Sequence, residues 1–262
     1  MCDNGMQQSV PVIAGQNSGI VTNRKKRSRR AQPQFESCPA CVNRCSGWFC
    51  SLGLDMLTAL EAVSTPSTAA SGQRLFSQGE ECEQVFVLCG GFVKLTASSP
   101  HGRKLIVRIA GPGAVLGLHA AVSDGKYEVS AETLREVKLR SIERSAFTAF
   151  LSGHREMHER VVQCLCQEYR FVLQDACRIA LTESVAARLA RLLLDLGLQI
   201  GDTSSGDCQF PILLTHEEMA SMTCTTRETI TRTLGQFRKD GMISIEGSIA
   251  TLHHPALLAS VQ

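Results

Sequence analysis

Four cysteines fall within thirteen residues, in the run Cys38-Pro39-Ala40-Cys41-Val42-Asn43-Arg44-Cys45-Ser46-Gly47-Trp48-Phe49-Cys50. Thiols this dense are rarely all packing residues, and their chemistry is that of soft metal ligands. Cys38 and Cys41 supply one close pair. The following gaps of three and four residues are long enough for the run to wrap an iron–sulfur cubane, a 4Fe–4S cluster held by Cys38, Cys41, Cys45 and Cys50. Other chemistries stay open for the same residues. Four thiolates can close around a structural zinc ion. The Cys38-Pro39-Ala40-Cys41 pair resembles an oxidoreductase dithiol and can form a thiol–disulfide switch, although no βαβ pattern surrounds it. Plain packing is the remaining alternative.

The other thiols and imidazoles are weaker candidates. Cys164 and Cys166 lie two positions apart in a helical stretch and point to different faces. Cys177, Cys208 and Cys224 read as small apolar fillers. His119, His216 and the His253-His254 pair lack a second ligand at a recognisable spacing, so structural roles are expected and a haem site finds little support. No P-loop, GxSxG, HExxH or paired-carboxylate signature occurs, so catalysis would rest on the one dithiol and is not expected.

A second chemistry sits near the C-terminus. Thr215-His216-Glu217-Glu218 is a capping box that opens a short helix ending at Met222. A polar turn around Thr223-Cys224-Thr225 follows, and Thr225-Thr226-Arg227-Glu228 opens a second helix with a capping box of its own, running to Lys239 before Gly241 stops it. Ile230, Leu234 and Phe237 share one face, which leaves Glu228, Thr231, Arg232 and Gly235 outward. Two such helices and a short turn are what a helix-turn-helix requires. An arginine such as Arg227 or Arg232 can donate twice to guanine, and Glu228 can accept from cytosine N4. Ile243-Ser244-Ile245, Gly247 and Ile249-Ala250-Thr251-Leu252 form a hairpin wing. Bulk charge adds little: the chain carries 27 basic and 25 acidic residues for a net charge of +2, and Thr215–Asp240 holds four of each sign.

These groups need elements to position them. Between Phe76 and Ile142, short β-type runs (85–88, 92–95, 105–109, and again over 132–142) alternate with Gly and Pro turns, the pattern of an antiparallel roll or sandwich. From Arg155 the period becomes helical. Val162, Leu165, Tyr169, Val172, Ala176 and Ile179 follow a +3/+4 alternation, a narrow seam whose simplest partner is the same seam of a second copy. Val161, Phe171 and Leu173 flank it, so the helix is expected to face the roll as well. A further helix covers Ser184–Leu196.

At 262 residues and 44% hydrophobic, the chain has room for two ordinary domains. The expected division is a basic tail over 1–37 containing Arg24-Lys25-Lys26-Arg27-Ser28-Arg29-Arg30, a cysteine loop at 38–50, a roll at 51–153, a dimerisation helix at 154–181 and a winged helix-turn-helix at 182–262. The basic run is either a solvated arm or a non-specific contact to DNA phosphates. No run of 18 apolar residues occurs and the N-terminus lacks the layout of a secretory signal, so no membrane association and a cytoplasmic location are expected.

The order of roll, long helix and winged helix resembles the CRP/FNR family of bacterial transcription regulators over roughly residues 38–262. The most specific match is Arg227-Glu228-Thr229-Ile230-Thr231-Arg232, with Leu234-Gly235-Gln236-Phe237 and Gly241-Met242-Ile243. The resemblance implies an α+β fold: an N-terminal antiparallel β-roll of the cyclic-nucleotide-binding jelly-roll type, a dimerisation helix and a C-terminal winged helix-turn-helix. It implies a homodimer on palindromic double-stranded DNA, read by Arg227, Glu228, Thr231 and Arg232, with RNA polymerase as a further partner. Family members that bind a cyclic nucleotide use a glutamate for the ribose and an arginine for the phosphate. The matching segments here look like Gly117-Leu118-His119-Ala120 and Glu128-Val129-Ser130-Ala131, which lack both groups, so a cyclic nucleotide is not expected. The 38–50 run instead resembles the N-terminal motif of FNR-type oxygen sensors, which implies a cluster that responds to oxygen, nitric oxide or redox state and controls dimerisation. In that branch the fourth ligand lies inside the roll, and the matching strand here, Val137-Lys138-Leu139-Arg140-Ser141-Ile142, has no cysteine. Either all four ligands come from the 38–50 run, or Cys2, Cys82 or Cys89 substitutes.

Overall fold

β-Branched and aromatic residues between Thr65 and Glu143 close into a roll whose two faces are antiparallel sheets. The structure, a computed structural model, describes residues 35–42, 49–102, 104–123, 125–181, 184–201, 207–253, 258 and 260–261. Cys2, Cys45 and the basic run at 24–30 lie outside the described residues. Those described belong to one compact unit, Phe35–Gln262.

A single 3-10 turn at Cys38–Ala40 precedes helix α1 (Leu54–Ala62). The roll strands are β1 (Thr65–Ala69), β2 (Arg74–Phe76), β3 (Gln84–Gly90), β4 (Val93–Ser98), β5 (Lys104–Ala110), β6 (Val115–Leu116), β7 (Ser130–Thr133) and β8 (Val137–Glu143), with helix α2 (Leu118–Val122) between β6 and β7. Among the described residues they make two four-stranded sheets, ordered β1-β8-β3-β6 and β2-β7-β4-β5. Alternation over 132–142 reads as one stretch in the sequence. It is in fact two strands in different sheets, because the chain turns across the end of the roll at 134–136. Gly91 makes the tight approach beside that turn: its φ is +82°, and a Cβ there would stand 2.6 Å from the Glu136 carbonyl oxygen. Phe76 stacks between Phe86 and Tyr127, with ring centroids at 5.9 and 3.9 Å, filling one part of the interior.

Helix α3 (Arg144–Gly153) leads into α4 (Arg155–Leu181), followed by α5 (Val185–Ile200), which Ser184 caps through the Ala187 amide. Apolar residues continue past Leu196, so α5 runs a turn longer than its Leu-rich stripe implies. Strand β9 (Cys208–Pro211), helices α6 (His216–Met222) and α7 (Arg227–Lys239), and strands β10 (Ile243–Glu246) and β11 (Ile249–Leu252) complete the chain, with the sheet ordered β10-β11-β9. One core lies inside the roll and under α1 and α3. The other joins α5, α6, α7 and the wing to Ile106 and Ile109 of β5.

Candidate functional site

The helix-turn-helix is assembled by local hydrogen bonds that the sequence dictates. The Thr215 hydroxyl accepts from the Glu218 amide at 3.2 Å, and the Glu218 carboxylate accepts from the Thr215 amide at 2.9 Å, closing the capping box. The turn is tight enough that Cys224 adopts a positive φ of 51°. Buried Thr223 donates its hydroxyl to the Met219 carbonyl, and Arg188 of α5 donates to the Thr223 carbonyl at 2.8 Å, fixing the angle between the two helices.

Helix α7 begins one residue later than a box based on Thr225 would have it. Thr226 is the cap, accepting from the Thr229 amide, so the third helical position is a threonine and no second capping box forms. The consequence is chemical. Glu228 takes no part in a capping box and stands exposed, its carboxyl held below the ordinary value by its own backbone amide, with help from the Thr226 hydroxyl. Ile230, Leu234 and Phe237 are buried, while Arg227, Glu228, Thr231 and Arg232 are exposed along the opposite face and Gly235 is half-buried. Thr231 donates to the Arg227 carbonyl and meets His216 Nδ1 at 2.9 Å, which holds its hydroxyl in one rotamer. The wing pairs Ile243 with Leu252 through Glu246 with Ile249. His253 braces it between Asp207 (2.8 Å) and Ser244 (2.9 Å), a structural role.

The stripe on α4 is uncovered. Val162, Tyr169 and Val172 are 58%, 67% and 66% exposed, and Ala176 is exposed with them. Leu165 is half-buried against the roll core, which also takes Val161 and Cys164 from the other side of the helix. Phe171 carries Arg108 over its ring at 4.7 Å, whereas Leu173 stays half-exposed. The side chain of Ile179 lies outside the described residues. Cys164 and Cys166 diverge as their spacing demands, one buried and one exposed. Cys208 is a buried filler, but Cys177 and Cys224 are exposed, so the filler reading fails for those two: one sits far along α4 and the other at the apex of the turn.

At the other end of the roll, Cys38 begins its 3-10 turn with its amide donating to Glu61 of α1 at 3.0 Å. Arg140 of β8, 5% exposed, donates to the other Glu61 oxygen at 2.7 Å and to the Glu36 carbonyl at 3.2 Å. Contacts to the roll therefore begin at Glu36, inside the segment read as tail. Phe49 and Leu52 are fully buried, Phe49 stacking on Phe147 of α3, and Cys38 and Cys50 pack on the same core. Burial pushes the Cys50 thiol up to about 12, with Cys89, Cys41 and Cys38 adding to the effect. Burial likewise pushes Cys89 to about 11, where Arg140 opposes and Cys38 and Cys41 add. Cys38, Cys41, Cys50 and Cys89 thus lie within one another's electrostatic reach. Cys82 faces Tyr127, Arg144 and Glu128 instead. Burial raises the Cys38 thiol too, the opposite of what a fast-reacting dithiol needs. Among the described residues no three His, Cys, Asp or Glu side chains are close enough to share a single ion. A tetrahedral zinc ion needs sulfurs about 3.8 Å apart, given a Zn–S bond of about 2.3 Å. Cys38 and Cys50, soft thiols backed by the apolar core, are the donor type that an iron–sulfur group takes.

The segment where a cyclic nucleotide would be sought is arranged otherwise. Leu118 is buried in the core, His119 and Glu128 pair with each other, and Arg108 is 3.7 Å from Glu168 of α4. Burial raises the Glu168 carboxyl, against Arg108 and His119, which lower it.

An antiparallel roll, a long helix with a bare apolar stripe and a winged head whose second helix presents arginines and a carboxylate define a DNA-binding regulator with a sensory domain. A cyclic nucleotide-binding domain model matches residues 67–154, and a Crp-like helix-turn-helix domain model matches residues 187–260. Transcriptional regulator LdrP of Thermus thermophilus is 30% identical over 179 residues, covering 67% of this chain and 85% of that protein. The CRP-like cAMP-activated global transcriptional regulator of Mycobacterium tuberculosis is 27% identical over 214 residues, 82% and 95% of the two chains. Among solved structures, FixK2 from Bradyrhizobium japonicum superposes with a TM-score of 0.68 at 19% identity, covering 75% of this chain and 96% of that one. The chain belongs to the CRP/FNR family of transcription regulators. It is a DNA-binding regulator rather than an enzyme, and no described helix is long and apolar enough to cross a membrane.

Proposed function

We propose that the cysteines of the 38–50 run hold an iron–sulfur cluster whose state decides whether two copies pair along α4 over a palindromic DNA site. The observation that carries this reading is the packing of Cys38 and Cys50, the two ends of the run, on one core of the roll. A bound cluster supplies iron and sulfide open to oxygen, nitric oxide or other oxidants. The rest is done by the chain. Cys38 and Cys50 press on the core that also holds Met157, Val161 and Cys164, the residues that root α4. Freed ends loosen that packing and with it the aim of Val162, Tyr169 and Val172 on the far side of the helix. A palindrome is bound tightly only when two heads are held about one DNA turn apart, so loss of pairing removes much of the affinity.

The residues near α2 weigh against a cyclic nucleotide as the signal. Leu118 cannot accept from a ribose hydroxyl, Glu128-Val129-Ser130-Ala131 offers no cation to a phosphate, and Arg108 is committed to Glu168 and the Phe171 ring.

The test is preparation without oxygen. Brown protein with visible charge-transfer absorption, iron and sulfide in equal amounts, and operator binding that fades in air is the expected result. A colourless preparation with stoichiometric zinc, or operator binding indifferent to air, overturns it.

A further inference from the structure

We infer that His216 decides which part of Thr231 meets DNA, so that this threonine reads a thymine by its methyl group rather than a base acceptor by its hydroxyl hydrogen. This rests on α7 being the helix that enters the major groove. A hydrogen count is the starting point. The Thr231 hydroxyl lies 3.0 Å from the Arg227 carbonyl and 2.9 Å from His216 Nδ1. It owns one hydrogen, and a carbonyl can only accept, so that hydrogen goes to Arg227. The proton of the second contact then sits on Nδ1, which donates to the Thr231 oxygen. Hydrogen-bond partners assign this proton, and neutral and charged imidazole both satisfy it.

The hydroxyl therefore has no hydrogen left for guanine O6 or N7, adenine N7 or thymine O4, the acceptors that line the major groove. A helical threonine divides between two rotamers, one of them bonded back to a carbonyl a turn earlier. His216 removes that choice from a different helix. It is the first residue of α6, whose start is set by the Thr215–Glu218 box, and it is half-buried, so the donor is in place before DNA arrives. Thr231 itself is exposed, and its methyl is the group on Cβ that no hydrogen bond engages.

Gly235 supplies the space. It follows Thr231 by one turn on the same face, and a Cβ built on it would meet no atom within 4 Å among the described residues. Glycine inside a helix is destabilising relative to alanine, and packing does not ask for it here. Its missing side chain lets a base edge come against the Thr231 methyl. Thymine, which carries a C5 methyl into the groove, is the base that gains from an apolar contact.

The experiment selects palindromic duplexes from a random pool with the full-length chain, then replaces each thymine in turn by deoxyuridine, which removes the C5 methyl alone. One thymine per half-site should lose about fourfold in affinity, the scale of one buried methyl group. Thr231→Val should keep that difference and Thr231→Ser should lose it. His216→Leu should lose it as well, while His216→Asn, whose amide N–H stands near the place of Nδ1, should keep it. His216→Ala takes the place of the leucine variant if that one does not fold. Equal affinity for every uracil-containing duplex, or a difference that survives in His216→Leu and His216→Ala, overturns the inference. The reading of α7 is judged apart, by repeating the selection with Arg232→Ala. A changed base preference without any uracil effect leaves α7 in the groove and removes only the methyl contact, whereas an unchanged preference together with no uracil effect sinks both.

Discussion

Lys94 of β4 places its ammonium 2.8 Å from the Glu218 carboxylate of α6, joining the roll to the helix-turn-helix by a charged hydrogen bond. Glu132 takes the same ammonium at 3.0 Å, the Ile106 amide donates to the Ser221 hydroxyl at 3.4 Å, and Ile106 and Ile109 share a core with α5, α6 and α7. Burial alone would lower Lys94, but Glu218 and Glu132 carry it above its ordinary 10.5. Burial alone would raise Glu218, but Lys94 and Thr215 hold it below its ordinary 4.5. The depressed carboxyl contributes stability above 4.5 that is lost as pH falls through its folded value. The raised ammonium contributes below 10.5 and loses its part as pH rises through its folded value. Glu218→Gln keeps the cap, since glutamine also serves in a capping box, and removes the charge. It should cost about 1–2 kcal/mol at neutral pH by denaturant titration, the scale of a charged hydrogen bond. The difference should shrink in acid, where the unmodified Glu218 is protonated as well. Equal stability at pH 7 means the contact is idle.

Val172 stands on the most exposed part of the α4 stripe, level with Tyr169 one turn earlier. In a symmetric pair each Val172 approaches its counterpart, so Val172→Glu sets like charges together on a desolvating surface, a cost of about 2 kcal/mol or more. Sedimentation should show monomers at concentrations where the unmodified chain is paired. A persisting dimer means that some other surface makes the contact.

What could be read from the sequence was whatever is decided within a turn or a heptad. The Thr215–Glu218 box, the buried face of α7, the wing and the α4 stripe follow from neighbours three or four residues apart. The start of α7 was misplaced by one residue because Thr225 and Thr226 are both competent caps, and only the turn geometry chooses between them. Lys94–Glu218 and Arg140–Glu61 were invisible for a different reason: their partners are 124 and 79 residues apart and meet only because the roll closes.

Arg140 and Glu61 form a largely buried ion pair, with side chains 6% and 29% exposed. Removing one partner strands the other, so Arg140→Met should destabilise the roll by about 2–4 kcal/mol, somewhat under the full cost for a completely buried pair because Glu61 keeps contact with water. Adding Glu61→Leu should recover part of the loss, because an apolar pair replaces a stranded charge. Urea titration of the single and double variants checks this, and a double variant less stable than Arg140→Met would show that the packing rather than the charge was at stake.

Arg232 makes no ion pair among the described residues and lies exposed on α7, one turn beyond Glu228. Its guanidinium can approach a base edge without first breaking a contact, and a bidentate arginine–guanine pair contributes about 1–3 kcal/mol of discrimination. Arg232→Ala should weaken binding to the cognate palindrome by that amount per half-site and relax the preference at a single base pair. Removing a phosphate contact would instead weaken all sequences alike and flatten the salt dependence. Titration against a set of operators with one base pair changed at a time, at two salt concentrations, separates the two. Uniform weakening assigns Arg232 to the backbone, and unchanged affinity removes it from the interface. Folding should be untouched in either case, since no buried group loses a partner.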